Sequence, residues 1–162
     1  LEVHREAHRQ GLRSTATMMY GHVEGPDDIL DHLEAVRTLQ AETGGFTAFI
    51  PLSFKPGNTL LEKWIKHYAG PNAYCRMLAL SRCFLDNVPH VQASWFSEGK
   101  RAGQIALHFG ADDWGGTLFE ENVHKAADYV NRITVDEIVA LIREAGFRPV
   151  QRTTLYERVK AY

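Results

Sequence analysis

Residues 14–52, STATMMYGHVEGPDDILDHLEAVRTLQAETGGFTAFIPL, hold two apolar strand-like runs on either side of one amphipathic helix. The first run is Ser14–Tyr20 and the second is Phe46–Leu52. Between them, Pro26 opens a helix that the glycine pair at 44–45 ends, as proline and glycine do at helix starts and stops. Its core-facing residues recur at helical spacing: Ile29, Leu33 and Val36. This stretch predicts a strand–helix–strand unit.

The same alternation continues through the rest of the chain. A helix opened by Pro71, a strand at His90–Trp95 and a helix at Lys100–Phe109 are followed by a strand or tight turn at Ala111–Leu118. Further on come a helix at Glu120–Tyr129, a helix after the Thr134–Glu137 capping box, and a final extended piece, Phe147–Tyr156. Strands that alternate with helices in this way favour βαβ units and a parallel sheet. We therefore predict one α/β domain over residues 1–162.

Composition and charge narrow the class of protein. The formal net charge is −2 and both signs are scattered, so there is no electrostatic case for a nucleic acid or an anionic membrane as partner. No apolar run is long enough to cross a bilayer. Cys75 and Cys83 lie about 12 Å apart along one predicted helix, too far for a disulfide, which favours reduced thiols in a cytoplasmic protein. His4 and His8 are one turn apart, and we interpret them as a solvated helix face rather than a metal site.

Polar and aromatic residues follow or end each predicted strand. In parallel α/β folds, ligand sites form at the carboxyl ends of the strands, so these residues are expected to ring one cavity. Such a cavity suits a polar small molecule with a flat ring. The candidates are Tyr20, His22, Glu24, Phe54, Gln92, Ser94, Trp95, Asp112 and Asp113.

Several candidates also have an ordinary structural interpretation. His22 could be a satisfied loop histidine, and Asp112 with Asp113 could form a turn or a helix cap. Trp95 fits a core position as well as a binding wall, and Lys55 is expected to be a solvated loop lysine. These alternatives stay open at the level of sequence.

Longer segments resemble the radical S-adenosylmethionine (SAM) enzymes of menaquinone and deazaflavin biosynthesis. Residues 7–24 resemble their AHxxG and TATMMYGHxE strand, and residues 32–51 resemble their HL, LQxETGGF and FIP segments. The resemblance continues in order through Leu85–Asn87, Gln92–Trp95, Gly110–Asp113, Glu120–Val123 and Gln151–Tyr156. So many motifs in one order cover nearly the whole chain.

This resemblance implies a fold and an activity. It implies the C-terminal half of a TIM-type β/α barrel, which agrees with four predicted strands where a closed barrel needs about eight. We accordingly expect the N-terminal half of the barrel to be missing from this chain. The implied enzyme belongs to the futalosine pathway and cyclises dehypoxanthine futalosine to a spiro product by means of a deoxyadenosyl radical.

Other members of the family remain possible. The Gln92–Trp95 and Glu120–Val123 segments resemble the cyclase, whereas Pro51–Pro56 departs from its PWxFQP pattern and is closer to aminofutalosine synthase. Asp112 stands where the cyclase often has Asn. The alternatives are aminofutalosine synthase, the FO synthase subunit that forms the deazaflavin, and a non-catalytic half-barrel that needs a cluster-bearing partner.

The resemblance also implies cofactors, partners and residue roles. The family uses a [4Fe–4S] cluster with SAM, yet this chain has no C-x-x-x-C-x-x-C loop, so the cluster ligands are expected in the missing half and the chain alone is expected to be inactive. A nucleoside-derived substrate and an external electron donor are the implied partners. His22, Glu24 and Asp112 are the implied catalytic residues. Substrate and SAM contacts are expected from Tyr20, Phe54, Gln92, Ser94, Trp95 and Asp113.

Overall fold

The computed structural model describes residues 1–57, 59–65, 68–117 and 130–162. The helices are α1 Glu2–Arg9, α2 Pro26–Thr43, α3 Pro71–Phe84, α4 Trp95–Glu98, α5 Lys100–Ala106 and α6 Val135–Glu144. The strands are β1 Ser14–Tyr20, β2 Phe46–Ser53, β3 His90–Val91, β4 Val150–Arg152 and β5 Arg158–Ala161. Short 3₁₀ helices span Leu60–Trp64 and Leu107–Phe109. The predicted helix Glu120–Tyr129 and the Glu120–Val123 motif lie outside the described residues.

The first three strands form a parallel sheet in the order β1-β2-β3. β1 and β2 pair from Ser14 opposite Phe46 to Tyr20 opposite Ser53, and an isolated parallel bridge between Gln92 and Asp113 extends the sheet beyond β3. Each parallel connection passes through a helix, which is the geometry that such crossovers require. The predicted α/β class with parallel strands and alternating helices is confirmed.

The two faces of the sheet have different environments. Along β1, Ala16, Met18 and Tyr20 are buried, whereas Thr17 and Met19 are exposed on the other side. Side chains alternate between faces along a strand, so the pairing register extends this division across the sheet. We call the buried side the packed face. The other side, the open face, carries Thr15, Thr17, Met19, Ile50, Leu52 and Gln92.

The packed face is covered by α2 and α3. Leu33 and Leu39 of α2 and Tyr74 and Leu78 of α3 are almost fully buried in one apolar cluster with residues of β1 and β2. Each such side chain stabilises the fold by roughly 1.5–3 kcal/mol relative to an exposed one. The open face has no such cover within the described residues. The sheet is therefore half-buried and holds its strand ends in fixed register.

A second, smaller core joins α4 and the segment around Trp114 to α6. Trp95, Trp114, Ile133 and Leu141 form it. The hydroxyl of Thr134 accepts the Glu137 backbone N–H at 3.2 Å, and Glu137 accepts the Thr134 N–H in return, so the predicted capping box is confirmed. Both cysteines are free, with Cys75 buried and Cys83 exposed. No helix of the described chain is long and apolar enough to cross a bilayer.

Two strand predictions need correction. The predicted strand His90–Trp95 is only His90–Val91, and Trp95 begins α4. The chain leaves the ladder at Ser94 because its N–H bonds the Tyr74 hydroxyl at 2.7 Å and its own hydroxyl bonds the Pro51 carbonyl. Of the strand or tight turn predicted at Ala111–Leu118, the described residues form only an isolated bridge at Asp113. The final extended piece, Phe147–Tyr156, contains β4, which pairs with β5 in an antiparallel hairpin.

The histidines of α1 are not a solvated face. His8 Nδ1 lies 2.7 Å from the Thr43 hydroxyl, and Nε2 lies 2.8 Å from the Ser14 hydroxyl. Thr43 donates its own proton to the Leu39 carbonyl, so Nδ1 is the donor to Thr43 and Nε2 accepts from Ser14. Both nitrogens of neutral His8 are satisfied. Burial, and to a smaller extent the nearby His4, lowers the pKa of His8.

This lowered pKa predicts acid sensitivity. Because the folded chain favours neutral His8, its stabilising contribution is complete above the ordinary pKa of 6.5 and is lost as the pH falls below that value. Urea unfolding at about pH 7.5 and about pH 5.5 should show a smaller pH-dependent loss of stability in His8→Gln than in the parent. His108→Gln, at an exposed histidine, is the control. An unchanged pH dependence in His8→Gln would contradict this assignment.

Candidate functional site

The loop after β1 is held by one carboxylate. Glu24 accepts hydrogen bonds from the backbone N–H groups of Gly21 and His22, the latter at 2.9 Å. Burial raises the pKa of Glu24, but the N–H groups of Gly21, His22 and Glu24 itself outweigh that effect and lower it overall. Gly21 has φ +84, and a Cβ there would lie 2.7 Å from the Ala69 Cβ. The loop therefore needs both this glycine and this glutamate.

His22 is presented by that loop with its Nδ1 buried against Glu24. Its Nδ1 lies 3.1 Å from a Glu24 oxygen but outside hydrogen-bond geometry, and it is a buried nitrogen without a hydrogen-bond partner. Nε2 lies 3.3 Å from the Met19 carbonyl. The ring packs edge-on against Phe54, with centroids 6.0 Å apart. His22, Glu24 and Phe54 are thus brought together at the exits of β1 and β2.

Tyr20 ends β1 on the packed face. Only 3% of its surface is exposed, and its hydroxyl is a buried oxygen without a hydrogen-bond partner. Burial, reinforced by the negative charge of Glu98, raises the pKa of this phenol, so Tyr20 is neutral at physiological pH. Its neighbour Tyr74 is likewise buried and accepts the Ser94 N–H. Tyr20 and Ser94 therefore share a buried polar layer between the sheet and α3.

A buried glutamate joins the exits of β2 and β3. Glu98, whose side chain is 5% exposed, accepts from the Ser53 N–H at 3.1 Å, from the Ser53 hydroxyl and from the Ser97 hydroxyl. Lys55 Nζ lies 2.7 Å from the Ser53 hydroxyl and 3.4 Å from Glu98. Lys55 is therefore not a solvated loop lysine, because it neutralises this carboxylate. We call Ser53, Lys55, Ser97 and Glu98 the Glu98 cluster.

Trp95 and Ser94 are fully buried. Trp95 belongs to the second core, and its indole N–H donates to the Gly116 carbonyl at 3.1 Å. Ser94 has both its backbone N–H and its hydroxyl engaged. Of the two interpretations that the sequence leaves open for Trp95, the core position is the one that the structure shows.

Gln92 lies on the open face, beside the segment that contains Asp113. Its backbone N–H bonds the Phe49 carbonyl at 2.9 Å, and the residue is bridged to Asp113. Its carboxamide reaches toward Gly115, where a Cβ would lie 2.9 Å from Nε2. Gln92 is partly exposed, so its amide remains accessible from the open face.

Asp112 lies at the other end of the sheet. Its carboxylate is bonded to His90 Nδ1 at 2.7 Å, to the Val91 N–H at 2.9 Å and to Arg82. Asp112 lies opposite Val91, which pairs with Phe49, four residues before the Ser53 that pairs with Tyr20. At about 3.3 Å per residue, Asp112 is roughly 13 Å along the strand direction from Tyr20. The chain therefore does not bring Tyr20, Gln92 and Asp112 to one cavity.

Asp113 is buried and fully engaged. It pairs with Arg152, accepts from the Tyr156 hydroxyl at 2.7 Å and accepts from the Gly115 N–H at 3.0 Å. The sequence interpretation selected Asp113 as a site residue but did not select Arg152, Tyr156, Lys55 or Glu98. A lysine and a glutamate on neighbouring strand exits were a usable signal for the Glu98 cluster. No local pattern points from Asp113 to an arginine 39 residues later.

The chain supplies no ligand set for an iron–sulfur cluster. Such clusters are held by thiolates, commonly three or four. Cys75 and Cys83 are the only cysteines, they lie on one helix, and Cys75 is buried with its pKa raised by burial. No group of three or more His, Cys, Asp or Glu suitable for a metal occurs in the described part of the chain. The residues present do not fit such a cofactor.

Comparisons with known proteins agree on one family. Residues 43–161 match the family model described as the CofH/MqnC C-terminal region. A 5-amino-6-(D-ribitylamino)uracil–L-tyrosine 4-hydroxyphenyl transferase of Methanopyrus kandleri is 45% identical over 98% of this chain and 44% of its own length. Cyclic dehypoxanthine futalosine synthase of Streptomyces coelicolor is 45% identical over 98% of this chain and 39% of its own length.

A third enzyme is similar over the same region. Aminodeoxyfutalosine synthase of Streptomyces coelicolor is 41% identical over 99% of this chain and 44% of its own length. The chain therefore spans less than half the length of each of these relatives.

The Glu24 bonds predict how the β1 exit loop responds to substitution. Glu24→Gln removes the charge that two backbone N–H groups share, so it should cost about 1–2 kcal/mol and speed amide exchange at Gly21 and His22. Hydrogen exchange followed by NMR, with urea unfolding, measures both. Glu62→Gln, at an exposed glutamate, should change neither. Unaltered exchange at Gly21 and His22 would mean that Glu24 does not hold the loop.

The Glu98 cluster predicts that two lysine substitutions differ in how much they destabilise the chain. Lys55→Met leaves the buried Glu98 carboxylate without its cation and should destabilise the chain by about 2 kcal/mol. Lys100→Met breaks the exposed pair with Glu137 and should cost below about 1 kcal/mol. Chemical unfolding of both variants at one pH tests this difference. Equal losses would show that Lys55 is energetically an ordinary surface lysine.

Proposed function

The chain belongs to the family of the CofH/MqnC C-terminal region, and on that premise we propose that it is the C-terminal half of a radical SAM enzyme. We propose further that this enzyme serves the futalosine pathway to menaquinone and cyclises dehypoxanthine futalosine. The observation that carries the proposal is the 45% identity to cyclic dehypoxanthine futalosine synthase over 98% of the chain. The proposed whole enzyme acts in the cytoplasm with an external electron donor.

The proposed architecture is half of a TIM-type barrel. Its support is the parallel order β1-β2-β3 with a bridge to Asp113, and an open face whose residues are only partly buried. In a closed barrel, that face points to the interior. Under this proposal, the exposed Met19 and the partly exposed Gln92 line the barrel cavity.

The cluster and SAM enter this proposal only through the other half. The [4Fe–4S] ligands are proposed to lie there, because this chain has no thiolate triad. The present half supplies side chains that orient substrate and SAM and exclude water, which is the usual share of a protein in cofactor chemistry. A cluster-bearing partner subunit would serve the same purpose as a preceding half of one polypeptide.

Among the candidate residues, three have groups able to contact a ligand. We propose His22 for hydrogen bonding or proton transfer, since its ring is partly exposed and its Nε2 makes only a 3.3 Å contact with the Met19 carbonyl. Phe54 beside it is 8% exposed and would present its remaining surface to an aromatic ring, and Gln92 would bind a polar group from the open face. Glu24 acts by holding the His22 loop. Direct roles for Tyr20, Ser94, Trp95, Asp112 and Asp113 stay predictions.

A second member of the family has one observation in its favour. Lys55 stands where the resemblance to the cyclase calls for glutamine, and it is bound into the Glu98 cluster. The Pro51–Pro56 segment in which it lies is closer to aminofutalosine synthase. We therefore keep aminodeoxyfutalosine synthesis as the second candidate activity.

An activity assay separates these candidates. The protein with its cluster-binding half is reconstituted anaerobically and supplied with SAM, a reductant and dehypoxanthine futalosine. The proposal expects the cyclic product and 5′-deoxyadenosine in equal amounts. Formation of aminodeoxyfutalosine from its own precursor instead would favour the second candidate. If SAM is not cleaved reductively with either substrate, the radical SAM assignment is contradicted.

His22→Ala predicts a defect in turnover without a defect in folding. Loss of a positioned acid or base lowers rates by about 10²–10⁴-fold. The circular dichroism spectrum and the unfolding midpoint should match the parent, because the ring is partly exposed and outside both cores. His108→Ala is the matched control at an exposed histidine. Normal turnover by His22→Ala would remove His22 from the site.

A further inference from the structure

The C-terminal hairpin is attached to the chain by polar contacts. Every residue of β4 and β5 is exposed except Arg152. No residue after Ile142 belongs to either hydrophobic core of the described chain. Apart from the buried Pro149 directly before β4, apolar packing therefore contributes little to the position of this hairpin. Its attachment must come from the side chains that reach back to the parallel sheet.

One carboxylate receives those side chains. Arg152 approaches Asp113 with two nitrogens, Nε at 3.1 Å from Oδ1 and Nη2 against Oδ2. The Tyr156 hydroxyl donates to Oδ2 at 2.7 Å. The Asp113 side chain is 8% exposed, so this two-pronged pairing is shielded from water. Such geometry fixes orientation as well as distance.

The hairpin turn is shaped to make these contacts. Tyr156 has φ +67, a left-handed conformation that is unfavourable for a residue with a Cβ. Its ring stacks on His90 at 3.7 Å with an interplanar angle of 3°, and the Arg152 guanidinium lies 3.9 Å from the ring centroid. His90 is bonded in turn to Asp112. We call Asp113, Arg152 and Tyr156 the hairpin clamp.

The same carboxylate also fixes the turn that follows Asp113. Asp113 Oδ1 accepts the Gly115 N–H at 3.0 Å, and Gly115 has φ +90. The next carbonyl, of Gly116, accepts the Trp95 indole N–H. Gly115 approaches Gln92 so closely that a Cβ would lie 2.9 Å from its amide nitrogen. The carboxylate that binds the hairpin is therefore the one that shapes the surroundings of Gln92.

We infer that Arg152 is a positioning residue that acts through Asp113 to orient the Gln92 carboxamide toward a polar, hydrogen-bonding ligand on the open face. The ligand in this inference rests on the proposed function. The effect of Arg152 on the orientation of Gln92 does not depend on that function. Arg152 belongs to neither apolar core, so the structural effect of its substitution is expected at the hairpin clamp and around Gly115.

Arg152→Met tests the effect of Arg152 on Gln92 in the 162-residue chain. NMR should show shifted signals for the Gln92 side-chain amide, the Gly115 N–H and the Trp95 indole, with faster exchange at Gly115. The unfolding midpoint should also fall, because the buried Asp113 carboxylate loses its cation, as Glu98 does in Lys55→Met. Arg152→Lys should lie between parent and Met, since lysine cannot pair with two prongs. Arg158→Met, on the exposed facing strand, is the control.

Two outcomes of that experiment overturn the inference. If the hairpin signals change in Arg152→Met while those of Gln92, Gly115 and Trp95 do not, Arg152 is only an anchor for the hairpin. If the signals of Arg158→Met change to the same extent as those of Arg152→Met, the response is general to the hairpin.

Kinetics of the cluster-bearing enzyme test the effect of Arg152 on the ligand. Arg152→Met should raise KM for the substrate about tenfold and change kcat less than about twofold, the pattern of lost ground-state binding. A fall in kcat with KM unchanged would overturn the positioning role. If the parent enzyme cleaves no SAM, the proposed function fails, whereas the NMR result still decides whether Arg152 orients Gln92.

Discussion

The parallel pairing of β1 with β2 is the constraint on which the rest of the structure depends. Six consecutive pairs from Thr15 opposite Ala48 to Tyr20 opposite Ser53 set the register, and one packed face buries Ala16, Met18 and Tyr20. A slip by one residue would move those side chains to the open face. The hydrophobic burial under α2 and α3 therefore holds the strand exits at one edge.

At that edge, charged side chains rather than apolar packing hold the loops in place. Glu24 holds the β1 exit loop through backbone N–H groups, and Glu98 joins the exits of β2 and β3 through Ser53 and Lys55. Both carboxylates are surrounded by donors, which makes them fixed parts of the frame. His22 and Phe54 are what this frame presents. A site for small-molecule chemistry needs such rigid support under the few groups that meet the ligand.

The hairpin clamp extends the same logic to the last residues of the chain. Arg152 and Tyr156 cross to Asp113 from a hairpin that shares no apolar core with the sheet. Their carboxylate partner also sets the Gly115 turn beside Gln92. The family model covers residues 43–161 as one region, and the clamp gives a physical reason why that region includes the hairpin.

The sequence by itself determined the parallel α/β class, most element boundaries and the family. Local signals were enough for these, because Pro26, Gly44 and the Thr134 capping box act within a few residues of where they stand. It did not determine which candidates share a cavity. Trp95 is core and Asp112 is roughly 13 Å along the strand direction from Tyr20, since strand register and face decide placement. Only the tertiary structure could join Asp113 to Arg152, because that contact depends on a chain reversal that no local pattern encodes.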